Sequence, residues 1–225
     1  MIDGIPGDDM DIDSINSLRE DEIYPALFGE PGRGRVPMQA DVFAPFGEVE
    51  IAPYWLEHGV MEFQPSPTRR SWLYVTSGYS TPWDSAPESW NPEGESGNGV
   101  EFVLEAPEQA DWAATRLMSL MAFDMLLSTG QVEGEPLAFH DIVPLSQAVD
   151  GSRTGAMKSM VMIQPEHLDQ TFQLPSGQVA LAEFVGLTDG EARFAGQFGF
   201  QMVGDKLRVS KEFPMTIPTR KSVIK

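Results

Sequence analysis

Cysteine is absent from the sequence, which excludes disulfides and thiolate metal sites and agrees with a cytoplasmic location. Long apolar runs are missing as well. None approaches the roughly 20 residues that a membrane-spanning helix requires, and the first residues have neither the basic nor the apolar region of a signal peptide. Cations are scarce: 15 Lys and Arg stand against 34 Asp and Glu, a formal charge of −19. Nucleic acid and anionic membrane are repelled by such a surface, whereas a basic protein is attracted and associates faster at low salt. Histidine occurs only as His58, His140 and His167, and no pair has metal-ligand spacing. No HExxH, GxSxG, GxGxxG or phosphate loop is present. His140 and Asp141 are adjacent, which on a strand points them to opposite faces. No catalytic set, metal or cofactor is therefore expected.

What is present is organised around residues 107–130. Pro107 at a first helical position, acidic Glu108 and Asp111 in the opening turn and Gly130 beyond the end predict a helix. Ala114, Leu117, Met118, Leu120, Met121 and Met125 form one arc, and from Leu120 onward Phe123, Leu126 and Leu127 close the opposite one. A helix apolar nearly all round must be covered on more than one side, by a sheet and by something else. Asp124 interrupts the apolar arc. It is a buried polar candidate, either a perturbed acid in a pocket or a carboxylate bonding a nearby loop.

The flanking chain predicts three regions: an acidic extension with a short helix (1–44), the main domain (45–204) and a basic extended tail (205–225). Residues 1–13 are acidic and apolar-poor, which predicts disorder or a loosely held leader. Asp9-x-Asp11-x-Asp13 with Glu20 imitates a calcium loop, but Ser14 occupies the glycine position. A helix through Leu27, capped by Asp13 or Ser17 with Glu20 closing a capping box, is the better reading. Strands are predicted at Val49–Tyr54, Val60–Phe63, Trp72–Ser77, Val100–Glu105, within Phe139–Leu145, and at Met157–Ile163 and Gln178–Val185, with one helical turn at Glu166–Gln170. Thr188-x-x-Glu191 is a capping box opening a helix that carries Ala192, Ala195, Phe198 and Met202, weakened at Gly199 and ended by Gly204. Between Gly78 and Gly99 lies a long loop in which Trp83 and Trp90 stand among Asp84, Glu88, Glu93 and Glu95. These six residues are the candidate partner-binding set, an exposed aromatic anchor within carboxylates. The alternative is that both rings fold back over the sheet.

Several phrases resemble the suppressor-of-fused domain: Trp72-Leu-Tyr-Val-Thr-Ser-Gly-Tyr-Ser80, then Val100–Glu105 running into Trp112 and Leu117–Leu127. Met157–Pro165, His167-Leu168, Leu174-Pro-Ser-Gly177 and Phe184-Val-Gly-Leu-Thr-Asp-Gly-Glu191 continue the ordered series. The resemblance covers roughly residues 45–200. It implies an α/β sandwich, a mixed sheet packed by helices, without catalysis. Animal members bind a transcription factor, and many bacterial single-domain members are thought to be immunity proteins that neutralise toxins. Unlike the animal proteins, this sequence lacks a second domain, so no binding residue is carried over from them. The expectation is a non-catalytic binder of a protein, such as a basic toxin domain, with no nucleic acid or membrane partner and no stated oligomeric state. Its rivals are a regulatory or scaffolding module that takes a peptide by strand addition, and a hydrolase using Asp124 or His140 side by side.

Overall fold

The computed structural model describes residues 11–224. In chain order these form α1 (Ile12–Ser17), a π-helical turn (Leu18–Ile23), α2 (Tyr24–Phe28), β1 (Val36–Pro37), two 3₁₀ turns (Ala40–Phe46, Pro53–Glu57), β2 (Gly59–Phe63) and β3 (Trp72–Ser77). A third 3₁₀ turn (Pro87–Ser89) precedes β4 (Glu95–Ala106), α3 (Asp111–Ser128), β5 (Ile142–Pro144), β6 (Met157–Ile163), β7 (Thr171–Leu174), β8 (Gly177–Thr188), α4 (Asp189–Phe198) and α5 (Phe200–Val209). Among the described residues no helix is long and apolar enough to cross a membrane.

The strands make one mixed sheet in the order β1-β2-β3-β4-β8-β6-β5, with β7 pairing beside β8. β4 and β8 run parallel at its centre, and the other pairs are antiparallel. Alternation decides what each face meets. Tyr74, Phe102, Leu104, Met160, Met162 and Phe184 face α3. Leu73, Val75, Val103 and Leu181 face Ile15, Tyr24 and Phe28 of the N-terminal helices. Further along that same face, Val161, Ile163, Val185 and Leu187 meet Ala195, Phe200, Val203 and Leu207 of α4 and α5. The result is the expected α/β sandwich, with helices on both sides of the sheet.

α3 is buried as its composition requires. Eleven of its 18 residues are inaccessible, so packing rather than intrinsic propensity fixes it. The sheet covers one side, and the 40–46 turn covers another, with Phe46 stacked on Phe123 at 5.8 Å. The helix begins at Asp111, not Pro107: the Ala110 N–H is taken by the Tyr74 hydroxyl at 2.6 Å, and the chain before it is still turning. The capping box at Thr188 and Glu191 forms as read, with both reciprocal bonds present.

Other expectations change. Val49–Tyr54 is not a strand. Proline at 45 and 53 favours short 3₁₀ turns, which bury Phe43 and Trp55 against each other at 5.5 Å. Glu166–Gln170 bends without forming a helical turn and leads into β7, a strand missed because it is only four residues long. Gly199, at φ +86°, ends α4 and starts α5, and Gly204 lies buried inside α5 instead of ending it. The segment after α5 is not a loose tail. Thr216 is buried and accepts from the Gly186 N–H, and Arg220 forks onto Glu191 at 2.6 and 2.8 Å.

The N-terminal helix also differs. Residues 1–10, including Asp9, lie outside the described residues. Asp11 is the cap, accepting from the Ser14 N–H at 2.9 Å, while Ser17 makes no cap bond. Glu20 is engaged by the Ser77 hydroxyl and by Arg35, which takes it away from any calcium loop. The helical rod from 12 to 28 is thus a layer of the sandwich rather than an appendage.

Two buried charges define that layer. Arg19 has no exposed surface and donates to Asn16, Ser77 and Thr81 at 2.7–3.1 Å. Its Nη1 is 3.9 Å from Glu101, which is equally buried. Removing one member of such a pair strands the other charge. Arg19→Met is therefore expected to cost about 3–5 kcal/mol in urea unfolding. Further along, Glu183 is 1% exposed, and burial, then repulsion from Glu105 and Glu166, raises its pKa well above the usual carboxyl range. A raised folded-state pKa stabilises fully below the unfolded value and loses that contribution as pH rises through the folded one. Urea midpoints at pH 5 and pH 8 should show Glu183→Gln gaining on the wild type as pH increases, whereas a constant difference would contradict a protonated Glu183.

Candidate functional site: the tryptophan loop

The loop leaves β3 at Gly78, whose φ of +110° strains any other residue and whose approach to the His58 backbone leaves little room for a side chain: a Cβ would lie 3.2 Å from the His58 Cα. Its root is rigid. Ser80 and Thr81 are buried, and Ser80 donates through both N–H and hydroxyl to Glu101 at 2.9 and 2.7 Å. Arg19 holds Thr81 from below. Burial raises the Glu101 pKa, opposed by Arg19 and by the Thr76 and Ser80 hydroxyls.

Beyond this root the chain turns outward. Trp83 is half-buried, stacked on Tyr54 at 5.8 Å and tilted over His58 at 5.7 Å, with its indole N–H given to the Gly78 carbonyl at 3.0 Å. Together these rings border a notch of about 280 Å³ that reaches Gly97 and Thr129. His58 is buried, which lowers its pKa to about 4. Its Nδ1 lies 3.1 Å from the Tyr54 and Trp55 carbonyls, so this nitrogen carries the proton of a neutral imidazole. Trp90 is also half-buried but packs against the opposite cluster, beside the N-terminal helices, and donates to the Ser85 carbonyl at 3.3 Å.

The six residues singled out in the sequence therefore divide in two. Both tryptophans lean back onto the body of the protein with one part of each ring left accessible. Asp84, Glu88, Glu93 and Glu95 are exposed around them, and Asp84 touches only the Tyr54 hydroxyl at 3.4 Å. Tyr54 and His58 belong to the same surface. Sequence reasoning missed them because they arrive from a separate segment, the 53–57 turn and the residue after it, where a strand was expected to end at Tyr54 and residues 57–59 to be a break.

Asp124 is not part of this surface. It is 5% exposed and accepts from the Tyr79 hydroxyl at 2.6 Å and from the Leu137 N–H at 2.7 Å. It thus ties α3 to the root of the tryptophan loop and to the loop after Gly130. Burial raises its pKa, countered by those two bonds. His140 lies elsewhere, stacked on Phe200 of α5 at 5.7 Å, so the pairing that a hydrolase would have needed is not formed. Among the described residues no group of His, Asp and Glu could hold a metal ion. Asp124→Asn turns one acceptor into a donor facing the Leu137 N–H or the Tyr79 hydroxyl. Thermal or urea denaturation should register a loss of about 1–3 kcal/mol, with partner binding retained by the folded fraction.

Comparison with known proteins bears on the fold described above. A family model described as Suppressor of fused protein (SUFU) matches residues 55–221, about three quarters of the chain. The match runs past the predicted domain boundary at 204, in keeping with the packed C-terminal segment. No curated protein matches. Among solved structures, a chain of the Sufu–Fu complex aligns with a TM-score of 0.62 and 21% identity over 94% of this chain and 91% of its own. Drosophila Suppressor of Fused aligns with a TM-score of 0.59 and 18% identity over 81% of this chain, which spans 49% of that one. A SUFU homologue from Neisseria gonorrhoeae FA 1090 gives 0.59 and 12% identity, over 93% and 96%. The chain belongs to the suppressor-of-fused family, a protein-binding kind of domain.

Proposed function

We propose that this protein is a non-catalytic, cytoplasmic binder of a basic protein, an immunity protein that neutralises a partner toxin, and that the tryptophan loop is its docking surface. The observation that carries the reading is the loop's construction: a rigid, buried root presenting two half-buried indoles inside a rim of four exposed carboxylates. A fixed root lowers the ordering cost of association. Indoles with one accessible part are the usual anchors of interfaces. The charge of −19 steers a basic partner from a distance.

Strand addition is the weaker reading. One edge of the sheet is β1, two residues ending in Pro37, and the other is β5, three residues ending in Pro144. Short, proline-bearing edges offer few backbone groups to an incoming strand. A regulatory role remains compatible with the same loop, since a Sufu–Fu complex is known for a structural relative.

The first test is the gene neighbourhood: where a basic toxin domain is encoded next to this protein, co-expression of the two is expected to restore growth, and the purified pair supplies the kinetic test. Changing Asp84, Glu88, Glu93 and Glu95 together to their amides should lower the on-rate and flatten its salt dependence. Trp83→Ala or Trp90→Ala should instead raise the off-rate, by about 2 kcal/mol in affinity if the ring is a hot spot. An unchanged on-rate after the four substitutions removes the loop as the steering surface. Off-rates untouched by either tryptophan would leave the rings as a cover for the core.

A further inference from the structure

The notch beside Trp83 has a chemistry of its own. Four segments border it: the 53–57 turn with His58, residues 81–85 of the tryptophan loop, residues 97–98 of β4 and the end of α3. One wall is aromatic. Trp83 stacks on Tyr54 with centroids 5.8 Å apart and planes 25° from parallel, and both rings line the notch while only half-buried. The indole N–H of Trp83 is spent on the Gly78 carbonyl, so this ring offers π surface rather than a donor. The Tyr54 hydroxyl lies 3.4 Å from Asp84, which sets that carboxylate at the edge of the same wall.

The border carries negative charge and no positive charge. Asp84 lines the notch and forms no ion pair among the described residues, and no Lys or Arg is among the lining side chains. His58 adds no charge, because burial holds its pKa down at about 4. With Nδ1 against the Tyr54 and Trp55 carbonyls, its Nε2 is an acceptor without a partner among the described residues. Ring surface, a carboxylate and an open acceptor together attract a cation.

The volume narrows the choice. A space of about 280 Å³ falls just under the roughly 300–1,000 Å³ of drug-sized ligand sites, and it admits one long side chain rather than a nucleotide or a folded peptide. An anion would be opposed by Asp84. An uncharged apolar side chain would strip water from that carboxylate and replace it with nothing. Lysine fits, but its ammonium is a compact point charge. A planar guanidinium can lie on a ring and still donate in its own plane to a carboxylate at the ring's edge.

We propose that the notch receives one arginine side chain of the partner, its guanidinium laid against the Trp83–Tyr54 wall and donating to Asp84. This names the occupant of the docking surface proposed above and rests on that reading. Glu88, Glu93 and Glu95 stand outside the notch, so they serve the approach of the partner, and Asp84 alone serves the seated side chain.

Titration of the isotope-labelled full chain at fixed ionic strength, read by its indole N–H resonances, tests this with N-acetyl-L-arginine amide as probe. The Trp83 resonance, identified by its loss in Trp83→Phe, should move saturably while that of Trp90 stays in place. The corresponding lysine amide should bind several-fold more weakly. The citrulline amide, of the same shape but uncharged, should give no saturable shift. Asp84→Asn, on an exposed side chain, should weaken the arginine probe about threefold or more, and Glu108→Gln, equally exposed but outside the notch, should leave it unchanged. No saturable shift at Trp83, equal affinity for lysine and arginine, or binding undiminished in Asp84→Asn overturns the proposal. Loss of partner binding in Trp83→Ala without any binding of the probe sinks this inference alone and leaves the docking surface standing. A partner indifferent to Trp83, with the probe still bound, overturns the docking surface and with it this role of the notch.

Discussion

Arg19 brings a guanidinium to a point where three parts of the protein meet. It leaves the π-helical turn of the N-terminal rod and reaches Ser77 at the end of β3 and Thr81 in the root of the loop, with Glu101 of β4 behind them. Neither Arg19 nor Glu101 could be buried alone, because an isolated charge in this environment costs several kcal/mol. Together, and with the hydroxyls of Thr76, Ser77, Ser80 and Thr81 bonded to them, they become tolerable, with only the Arg19 Nε left without a partner. The helical rod, the centre of the sheet and the loop root are therefore fixed by one shared requirement. This is why the loop can be long without being loose at its base: residues 80 and 81 are as inaccessible as the core, while 84–89 are in water.

The same polar interior changes how the formal charge should be read. Glu62 is held by Arg33 and Glu191 by Arg220, while burial pushes the Glu183 pKa up toward the neutral form. These acids contribute little field at the surface. The field at the surface comes from the unpaired carboxylates, among them the four around Trp83 and Trp90. The cations are distributed by a different logic. Arg19, Arg33, Arg35, Arg208 and Arg220 are consumed in ion pairs that join distant segments, whereas Arg69, Arg70 and Lys211 are among those that form no ion pair among the described residues.

Much of the architecture was legible because it rests on periodicity. The strands at Trp72–Ser77 and Met157–Ile163 coincide with the predicted ones, and the all-round apolar helix announced that it would be enclosed. The Thr188–Glu191 box is local and was readable as such. What was not legible depends on tertiary placement. Phe43, Trp55 and Phe46 are buried singly by irregular turns, so their spacing carries no repeat. Arg19 reads as the one cation in an acidic stretch, and nothing near it in sequence says that Glu101 waits across the core. The notch is assembled from four separated segments, and only the packing of the 53–57 turn against the tryptophan loop brings Tyr54 and His58 to Trp83.

The structural relatives keep this fold at 12–21% identity, so roughly four residues in five differ between chains of the same architecture. A fold that survives such replacement is specified by the alternation of buried positions and by a few polar anchors, not by particular surface side chains. The surface is correspondingly free to diverge, and a relative's partner does not follow from the shared sheet. Whatever this protein recognises must be read from groups its own fold has no use for. The exposed carboxylates of the tryptophan loop are such groups, since they stabilise nothing nearby, and so are the unpaired ends of Arg70 and Lys211. Side chains that the scaffold leaves unemployed are where a surface can change without cost to the fold.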